Sequence, residues 1–314
     1  MDASLDGDSY EERRIGRLED QAVPSSSGLL LNVNCPNHKE VLMQALVLAA
    51  GRGTRLRRRV PKPLVKVCGR TLLGHCLRNL ADLGIREFVV VVGHKAERVR
   101  TFVSDHRAAF PKGKIVWVYN KAYMRGNGVS VLCAQKYLDG PFLLSMVDHL
   151  YDPAMLRGLL SRKGTLITVV DSDPRFVDPE EATKVLMHRG QILRIGKQLQ
   201  RYNALDCGVF LCSKQIFPVL REAVTQGHDE WNHAKQRLAR RHRAEVYDVR
   251  GGFWFDVDTP EEVRRAEQLL RQRLRDTVTL VLPAGLEKSR SIPSSEPQHK
   301  GLLSSDQPEI SASG

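Results

Sequence analysis

Small residues and arginines follow the first strongly apolar segment of the chain, which covers residues 44–49. The run from Leu48 to Arg55 reads Leu-Ala-Ala-Gly-Arg-Gly-Thr-Arg. Small residues let backbone N–H groups approach phosphate oxygens closely, and an arginine adds a bidentate donor. The run matches neither the dinucleotide fingerprint nor the P-loop pattern, and a tight structural turn would also explain its glycines. We interpret it as a phosphate-binding loop made by Leu48, Ala49, Ala50, Gly51, Gly53 and Thr54, with Arg55 as a catalytic cation.

A lysine enclosed by two prolines comes next, in the segment Pro61, Lys62 and Pro63. Proline fixes the backbone and removes hydrogen-bond donors, so Lys62 is expected on a stiffened loop. A preordered ammonium beside the phosphate-binding loop can neutralise an α-phosphate while an attacking oxygen arrives. The alternative is an ordinary solvated lysine, which is the usual fate of this residue type.

Carboxylates occur at two further points where metal chemistry is expected. Asp148 closes the apolar run 142–147, and Asp256 lies in the run 251–262, which reads Gly-Gly-Phe-Trp-Phe-Asp-Val-Asp-Thr-Pro-Glu-Glu. Magnesium prefers carboxylate and phosphate oxygens, so two carboxylates together with a triphosphate would suffice to hold it. The candidate metal ligands are therefore Asp148 and, in the later run, Asp256 or Asp258. For Asp148, a helix N-cap is the competing interpretation, but Asp152 precedes Pro153 and is better placed for that role.

The elements that must position these residues alternate along the chain. Continuous apolar runs predict strands at 44–49, 87–92, 115–119 and 142–147, and such runs suit parallel strands that are buried on both faces. An amphipathic helix is predicted between the first two strands, with Gly84 as its C-terminal stop. Repetition of strand, helix and strand predicts right-handed crossovers and a doubly wound α/β sheet.

After about residue 165 the apolar runs become shorter, and Arg189 with Gly190 predicts a hairpin. We expect a smaller mixed α+β lobe laid over the first half. The predicted organisation is a mobile N-terminal extension (1–42), one catalytic domain (43–276) and a disordered C-terminal tail (277–314), because the two ends are polar and lack periodicity.

The composition limits the classes of partner and of cellular location that the protein is expected to have. Lys and Arg number 48 against 36 Asp and Glu, for a net charge of +12, which favours either nucleic acid or a phosphorylated small molecule as partner. Much of this excess falls on helical arginine runs such as 237–243 and 264–275, which solvated helix faces explain more simply. The six cysteines show no paired or metal-ligand spacing and are expected to be free thiols, most of them buried. The acidic, polar N-terminus lacks the order of a secretory signal, and no apolar run reaches membrane-spanning length, so we expect a cytoplasmic protein.

The combined motifs resemble a known family. The phosphate loop, the Pro-Lys-Pro-Leu segment and the amphipathic helix after it resemble the signature of NTP transferases, closest to the inositol-1-phosphate cytidylyltransferase and MobA-like branch. The run Arg125–Ser130 resembles that branch's N-G-x-S element, Asp148 with His149 and Tyr151 resembles its Asp-His-x-Tyr, and 254–262 resembles its closing motif, in which the first aspartate completes the metal site. The resemblance therefore implies Asp148 and Asp256 as the metal ligands, with Asp258 as the less favoured alternative to Asp256. Val147 stands where the family usually has glycine. The resemblance covers about three quarters of the chain and implies a Rossmann-like, GT-A-like fold, mainly parallel.

This resemblance implies a reaction and roles for particular residues. The chain would transfer a nucleotidyl group, CMP from CTP first, to a phosphorylated polyol or sugar such as inositol-1-phosphate and release pyrophosphate, with Mg²⁺ as cofactor. Arg55, Lys62 and Asp148 would be catalytic, and Asn127, Gly128 and Ser130 would line the nucleotide pocket, although an Asn-Gly turn before a helix is the simpler alternative. The residues expected to bind the acceptor are His149, Lys184, Lys197 and Asp206.

Several alternatives stay open on the sequence. The acceptor could be a sugar-1-phosphate or phosphocholine, and the chain could be a non-catalytic nucleotide-binding sensor of the same fold. A basic nucleic-acid-binding protein is the remaining class, but aromatic residues make up only 6% of the chain and do not alternate with the arginines, so we expect no nucleic-acid partner. Known inositol-branch enzymes are often fused to a membrane-embedded domain, so a separate membrane enzyme that consumes the CDP-alcohol is a further expectation.

Overall fold

The computed structural model describes residues 43–56 and 60–281. Within these ranges the chain forms thirteen strands: β1 (Gln44–Ala49), β2 (Lys66–Val67), β3 (Arg70–Thr71), β4 (Glu87–Val92), β5 (Lys114–Tyr119), β6 (Phe142–Met146), β7 (His149–Tyr151), β8 (Leu166–Asp171), β9 (Lys184–His188), β10 (Gln191–Gly196), β11 (Ala204–Cys212), β12 (Ala244–Asp248) and β13 (Trp254–Asp256). The same ranges hold six α-helices: α1 (Leu72–Asp82), α2 (Ala96–Asp105), α3 (Asn127–Cys133), α4 (Ile216–Thr225), α5 (Trp231–Arg240) and α6 (Pro260–Val281).

Nine strands form one sheet in the order β5-β4-β1-β6-β11-β8-β12-β10-β9. The first four of these strands are parallel, and they correspond to the four apolar runs of the sequence. Every residue of β1 is buried, which is why its sequence after Gln44 is continuously apolar instead of alternating. The predicted doubly wound half is therefore confirmed, and the carboxyl ends of β1 and β6 lie side by side.

Helices cover both faces of this sheet. Ala45 and Val47 of β1 pack into the core layer that contains α1 and α2, whereas Leu46 and Leu48 pack into the layer that contains α3, α4 and α5. Helix α1 begins at the side-chain cap that Thr71 gives to the backbone N–H of Gly74, 3.0 Å away. The helix ends before Gly84, whose φ of +89° is the left-handed conformation expected of a C-terminal stop.

The second half of the chain is mixed, as predicted, but its position differs from our expectation. Strand β11 runs antiparallel between β6 and β8, and β12 runs parallel to β8, so these strands extend the first sheet instead of forming a lobe laid over it. The reason is that β6 is not an edge strand: β11 pairs with it and carries the sheet onward. The predicted hairpin joins β9 and β10 through Arg189 and Gly190, both with positive φ.

The arginine runs lie on solvated helix surfaces, as the sequence indicates. Arg241, which follows α5, pairs with Glu222 at 2.7 Å, and Arg264 of α6 pairs with Glu261 at 2.9 Å. Helix α6 continues five residues past the predicted boundary at 276. Residues 1–42 and 282–314 of the two predicted extensions lie outside the described residues. Within the described ranges, no helix has the length and hydropathy to span a membrane.

Candidate active site

The loop after β1 forms one wall of a cavity of about 250 Å³ at the carboxyl ends of β1 and β6. All six residues predicted for the phosphate-binding loop line this cavity. The full lining consists of Leu48, Ala49, Ala50, Gly51, Gly53, Thr54, Arg55, Lys62, Pro63, Asn127, Ser130, Met146, Val147, Asp148 and Asp258. Gly53 has a φ of +60°, and a Cβ there would lie 2.6 Å from Cβ of Lys62. Glycine at this position therefore lets the loop close directly onto the lysine.

Lys62 is buried, with 8% of its surface exposed. Its ammonium donates to a carboxylate oxygen of Asp148 at 2.5 Å and also forms a hydrogen-bonded ion pair with Asp258. Burial by itself lowers the pKa of Lys62, but the charges of the two aspartates outweigh it and raise the pKa above its ordinary value. Lys62 is therefore a buried cation fixed by two carboxylates, and it is not the solvated lysine of the alternative interpretation.

Asp148 follows β6 by two residues and lies between a cation and an imidazole. Besides Lys62, its other carboxylate oxygen is 2.8 Å from Nδ1 of His149. Burial alone would raise the pKa of Asp148, but Lys62 and His149 hold that pKa far below its usual range, so the residue is a carboxylate at any ordinary pH.

Arg55 closes the site from the solvent side. Its guanidinium pairs with Asp258 and reaches Glu181 at 3.4 Å, while half of its side chain stays exposed. Asp258 thus joins the two basic residues that the sequence predicts as catalytic, because it contacts both Arg55 and Lys62.

The two carboxylates that the sequence left as alternatives are placed differently. Asp256 ends β13, opposite His149 in the pairing with β7, and lines only the second cavity described below. Asp258 lines both cavities and shares Lys62 with Asp148. The geometry therefore brings Asp258, the alternative that the sequence favoured less, to Lys62 together with Asp148. Among the described residues no group of three or more His, Cys, Asp or Glu side chains could hold a metal ion. A divalent cation here fits the donor chemistry only if phosphate oxygens complete its shell.

Helix α3 brings the Asn-Gly element to the same place. Asn127 lines both cavities, and its side-chain oxygen accepts from the backbone N–H of Trp231 at 2.8 Å. Ser130 lines the first cavity and accepts from Asn120 at 2.9 Å. Gly128 lines neither cavity: a Cβ there would lie 2.5 Å from the carbonyl oxygen of Asp229, so this glycine serves the packing of α3.

A second cavity, of about 300 Å³, adjoins the first. The two share Arg55, Asn127, Met146, Asp148 and Asp258. The remaining lining residues come mainly from β11, α5, β13 and their loops: His149, Glu181, Ala182, Thr183, Lys197, Asp206, Gly208, Phe210, Glu230, Trp231, Asn232, Lys235, Trp254 and Asp256. The site can therefore hold two ligands next to each other, with Asp148 and Arg55 at their junction.

His149 is fixed between Asp148, Trp254 and Gly208. Its ring is parallel to that of Trp254, with 6.3 Å between centroids. Gly208 has a φ of +72°, and a Cβ on it would lie 2.3 Å from Cδ2 of His149. Burial lowers the pKa of His149, but its hydrogen bond to Asp148 and the charges of Asp148, Asp256 and Asp206 raise the pKa above its ordinary value overall.

Asp206 of β11 lines the second cavity, and its ion-pair partner was not predicted from the sequence. Its carboxylate forms a hydrogen-bonded ion pair with Lys235 of α5, and both side chains are nearly fully buried. Lys235 was missed because the basic residues of this segment suggest a solvated face. A signal was present, however: Lys235 lies on the same helical stripe as Trp231, Ala234, Leu238 and Ala239, which are all buried.

The two lysines predicted to bind the acceptor lie in different places. Lys197 lines the second cavity. Lys184 lines neither cavity; its ammonium binds Glu180 at 3.1 Å and lies over the ring of Tyr202. The structure therefore brings Lys197, and not Lys184, to the other site residues. Val147 lies at the strand end as part of the buried core and lines the first cavity.

Known proteins resemble this chain in sequence. Residues 45–245 match the family model described as the MobA-like NTP transferase domain. A protein of Rubrobacter xylanophilus named bifunctional IPC transferase and DIPP synthase is 43% identical over 230 residues, which cover 72% of this chain and 51% of the relative. A protein of the same name from Aquifex aeolicus is 36% identical, with the same shares covered. The chain thus spans about half the length of these curated relatives.

Solved structures show the same fold. The inositol-1-phosphate CTP transferase from T. maritima superposes with a TM-score of 0.65 at 27% identity, over 73% of this chain and 96% of that one. A UDP-glucose pyrophosphorylase complexed with UDP-glucose superposes with a TM-score of 0.61 at 19% identity, over 74% and 99% of the two chains. At that identity the second likeness concerns the fold alone.

Proposed function

Because the chain belongs to the MobA-like NTP transferase family, we propose that it transfers CMP from CTP to inositol-1-phosphate and releases pyrophosphate. The observation that carries this proposal is the position of Lys62, a buried ammonium that lines the first cavity and is held between Asp148 and Asp258, which line both cavities. Support for these substrates comes from the relatives' names, which are those of an IPC transferase and an inositol-1-phosphate CTP transferase.

The first cavity suits the nucleoside triphosphate. Its loop from Ala49 to Thr54 follows a buried strand, so the backbone N–H groups there can approach phosphate oxygens without side chains in the way. Lys62 and Arg55 supply the charges that balance the α-phosphate as negative charge builds on it. Neither has to move far, because both already lie against the cavity.

The second cavity suits the acceptor. Lys197 would bind its phosphate, and Asp206 would accept from its hydroxyl groups. An anionic oxygen of that phosphate attacks the α-phosphorus of CTP, forming one P–O bond while the bond between the α-phosphorus and the bridging oxygen breaks and pyrophosphate leaves. The attacking oxygen carries no proton, so no general base is required, and catalysis rests on positioning and charge.

Magnesium is part of this proposal. Asp148 and Asp258 would hold it beside Lys62, and Asp256 is the alternative to Asp258 that the sequence favoured. When bound, Mg²⁺ supplies further neutralisation of the triphosphate oxygens. The surrounding residues keep Asp148 ionised for this role, since Lys62 and His149 lower its pKa.

The product would be a CDP-alcohol, which remains activated for transfer. The relatives' name joins this activity to a DIPP synthase in one protein, and the chain spans about half of their length. We include in the proposal a functional link to a membrane-embedded enzyme that consumes the CDP-alcohol. Because CTP is an intracellular metabolite, the proposal places the reaction in the cytoplasm.

Pyrophosphate release tests the proposed function. The purified chain is incubated with Mg²⁺ and each of the four NTPs against inositol-1-phosphate, glucose-1-phosphate and phosphocholine. We expect release with CTP and inositol-1-phosphate, and its loss on adding EDTA. Release with another pair only would reassign the substrates. Nucleotide binding without any release would instead favour the non-catalytic sensor.

A further inference from the structure

The three aromatic residues that line the second cavity are all buried. Recognition of a quaternary ammonium group, such as the choline headgroup, depends on aromatic faces within about 6 Å of the cation. Although this cavity contains the right residue types for such a cage, other side chains already lie against these rings.

Each of these rings already has a partner. The ammonium of Lys235 lies over the ring of Phe210, 4.6 Å from its centroid. Trp231 meets Phe210 edge to face with 5.8 Å between centroids, and Trp254 lies parallel to His149. A ligand cation would thus have to displace Lys235 from Phe210, and it would meet the positive charge of Lys235 while doing so.

Lys235 and Asp206 together form a polar pair of zero net charge at the cavity wall. Among the residues that the structure describes, Asp206 is the one acceptor within hydrogen-bond distance of the Lys235 ammonium. One oxygen of Asp206 accepts from the backbone N–H of Gly208 at 2.9 Å, and the other accepts from Lys235. Since an ammonium has three donors and each carboxylate oxygen has two lone pairs, the pair retains donors and acceptors for a ligand.

A hydroxyl group fits this arrangement because it accepts one hydrogen bond and donates another. A trimethylammonium group has no N–H with which to reach the oxygens of Asp206, or those of Asp256 and Glu230 in the same cavity. Such a group would therefore leave the remaining donors and acceptors of the pair without partners in the ligand, and a site built to hydrogen-bond a hydroxyl group strongly rejects an analogue that lacks it.

We propose that the Asp206–Lys235 pair is the specificity determinant of the second cavity, which selects a phosphorylated polyol by its hydroxyl groups and rejects a quaternary ammonium phosphate. This inference rests on the proposed function for the position of the acceptor and adds the residue that selects it. Lys235 acts both directly, by donating to a hydroxyl group, and by covering the face of Phe210.

Binding measurements test this inference without requiring turnover. Calorimetric titration in the presence of α,β-methylene-CTP and Mg²⁺ compares inositol-1-phosphate with phosphocholine. For the wild type we expect inositol-1-phosphate to bind about 100-fold more tightly or better. The double variant D206N/K235M keeps an uncharged pair of similar volume, so no buried charge is left unpaired. We expect it to bind inositol-1-phosphate about 10- to 100-fold more weakly, while its affinity for the CTP analogue is unchanged.

The control variant is K136M, which removes another lysine that lies over an aromatic ring, that of Tyr137, and that lines neither cavity. It should bind both ligands as the wild type does. Equal binding of phosphocholine and inositol-1-phosphate by the wild type would overturn the inference, even if the double variant fails to fold. Binding of inositol-1-phosphate within twofold of wild type by the folded double variant would also overturn it.

Pyrophosphate release separates this inference from the proposed function. Selective, pair-dependent binding of inositol-1-phosphate without release would uphold the inference and reject the proposed reaction. Pyrophosphate release by a double variant that binds inositol-1-phosphate normally would support the proposed reaction and reject the inference. No detectable binding of inositol-1-phosphate to the wild type would reject the inference.

Discussion

The ammonium of Lys62 lies 2.5 Å from a carboxylate oxygen of Asp148, although 86 positions separate the two residues in the chain. Asp258 binds the same ammonium from the far end of the domain. Three separate segments, the loop after β1, the end of β6 and the segment after β13, therefore converge on one buried cation. In a site that transfers a nucleotidyl group, such a cation is preorganised to meet the charge that develops on the α-phosphate.

Replacing Lys62 by methionine keeps most of the side-chain volume and removes the charge. We expect kcat for pyrophosphate release to fall by about 10²- to 10³-fold, because one preorganised donor to the transition state is lost. The matched control is K66M, since Lys66 is exposed on β2 and lines neither cavity. Steady-state kinetics on folded protein, checked by circular dichroism, would decide the point. A kcat within threefold of wild type would remove Lys62 from the catalytic groups.

Magnesium titration tests whether Asp256 or Asp258 is the metal ligand that acts with Asp148. We expect D258N to raise the Mg²⁺ concentration for half-maximal activity by about tenfold or more, because its carboxylate shares Lys62 with Asp148. D256N should shift that concentration much less, since Asp256 lines only the second cavity. The two variants are isosteric and serve as controls for each other. The reverse order of effects would restore Asp256 as the metal ligand.

Gly208 and Gly190 offer a matched pair for the packing of His149. Both have positive φ, but a Cβ on Gly190 would meet nothing within 4 Å, whereas one on Gly208 would strike the imidazole. We expect G190A to lower the free energy of unfolding by about 1 kcal/mol, the strain of a left-handed alanine. G208A should lower it by about 1–3 kcal/mol more and weaken acceptor binding, because His149 must move. Urea unfolding measures both; equal values would mean that His149 shifts freely.

Much of this site follows from local sequence, and the rest does not. The phosphate-binding loop, Lys62 and Asp148 were predictable because each lies at the end of a continuous apolar strand or between prolines, and parallel strands bring their carboxyl ends to one edge. The fold of the first half was predictable for the same reason. The extension of the sheet through β11 was not, because nothing within an apolar run says which neighbour it will pair with.

Pairings between residues that are distant in the chain could also not be predicted from the sequence. Asp258 lines both cavities and Asp256 lines only the second because of how β13 and the turn after it run, and two aspartates two positions apart give no sign of that difference. The sequence of α5 does not distinguish Lys235 from the other basic residues of that helix, because its partner Asp206 lies on β11. Gly128, predicted at the nucleotide, proved to serve the close approach of α3 to Asp229.

The cysteines should differ in their reactivity toward an alkylating reagent. Cys68 is exposed, whereas Cys76, Cys207 and Cys212 are fully buried. Burial raises the pKa of Cys76 to about 12, so its thiol stays protonated well above neutral pH, and burial likewise raises the pKa of Cys207 and Cys212. With iodoacetamide at pH 8, peptide mass spectrometry should find Cys68 modified and the other three protected until urea is added. Rapid modification of Cys76 in the native protein would contradict its place in the core.

Phosphorus NMR of the reaction mixture tests the central claim most directly. With CTP, inositol-1-phosphate and Mg²⁺, we expect the CTP signals to be replaced by those of a new diphosphate diester and of pyrophosphate in equal amounts, because one P–O bond is exchanged for another. Formation of CMP and pyrophosphate would mean hydrolysis, and unchanged CTP in the presence of bound inositol-1-phosphate would mean no reaction. Either of these results would contradict nucleotidyl transfer to this acceptor.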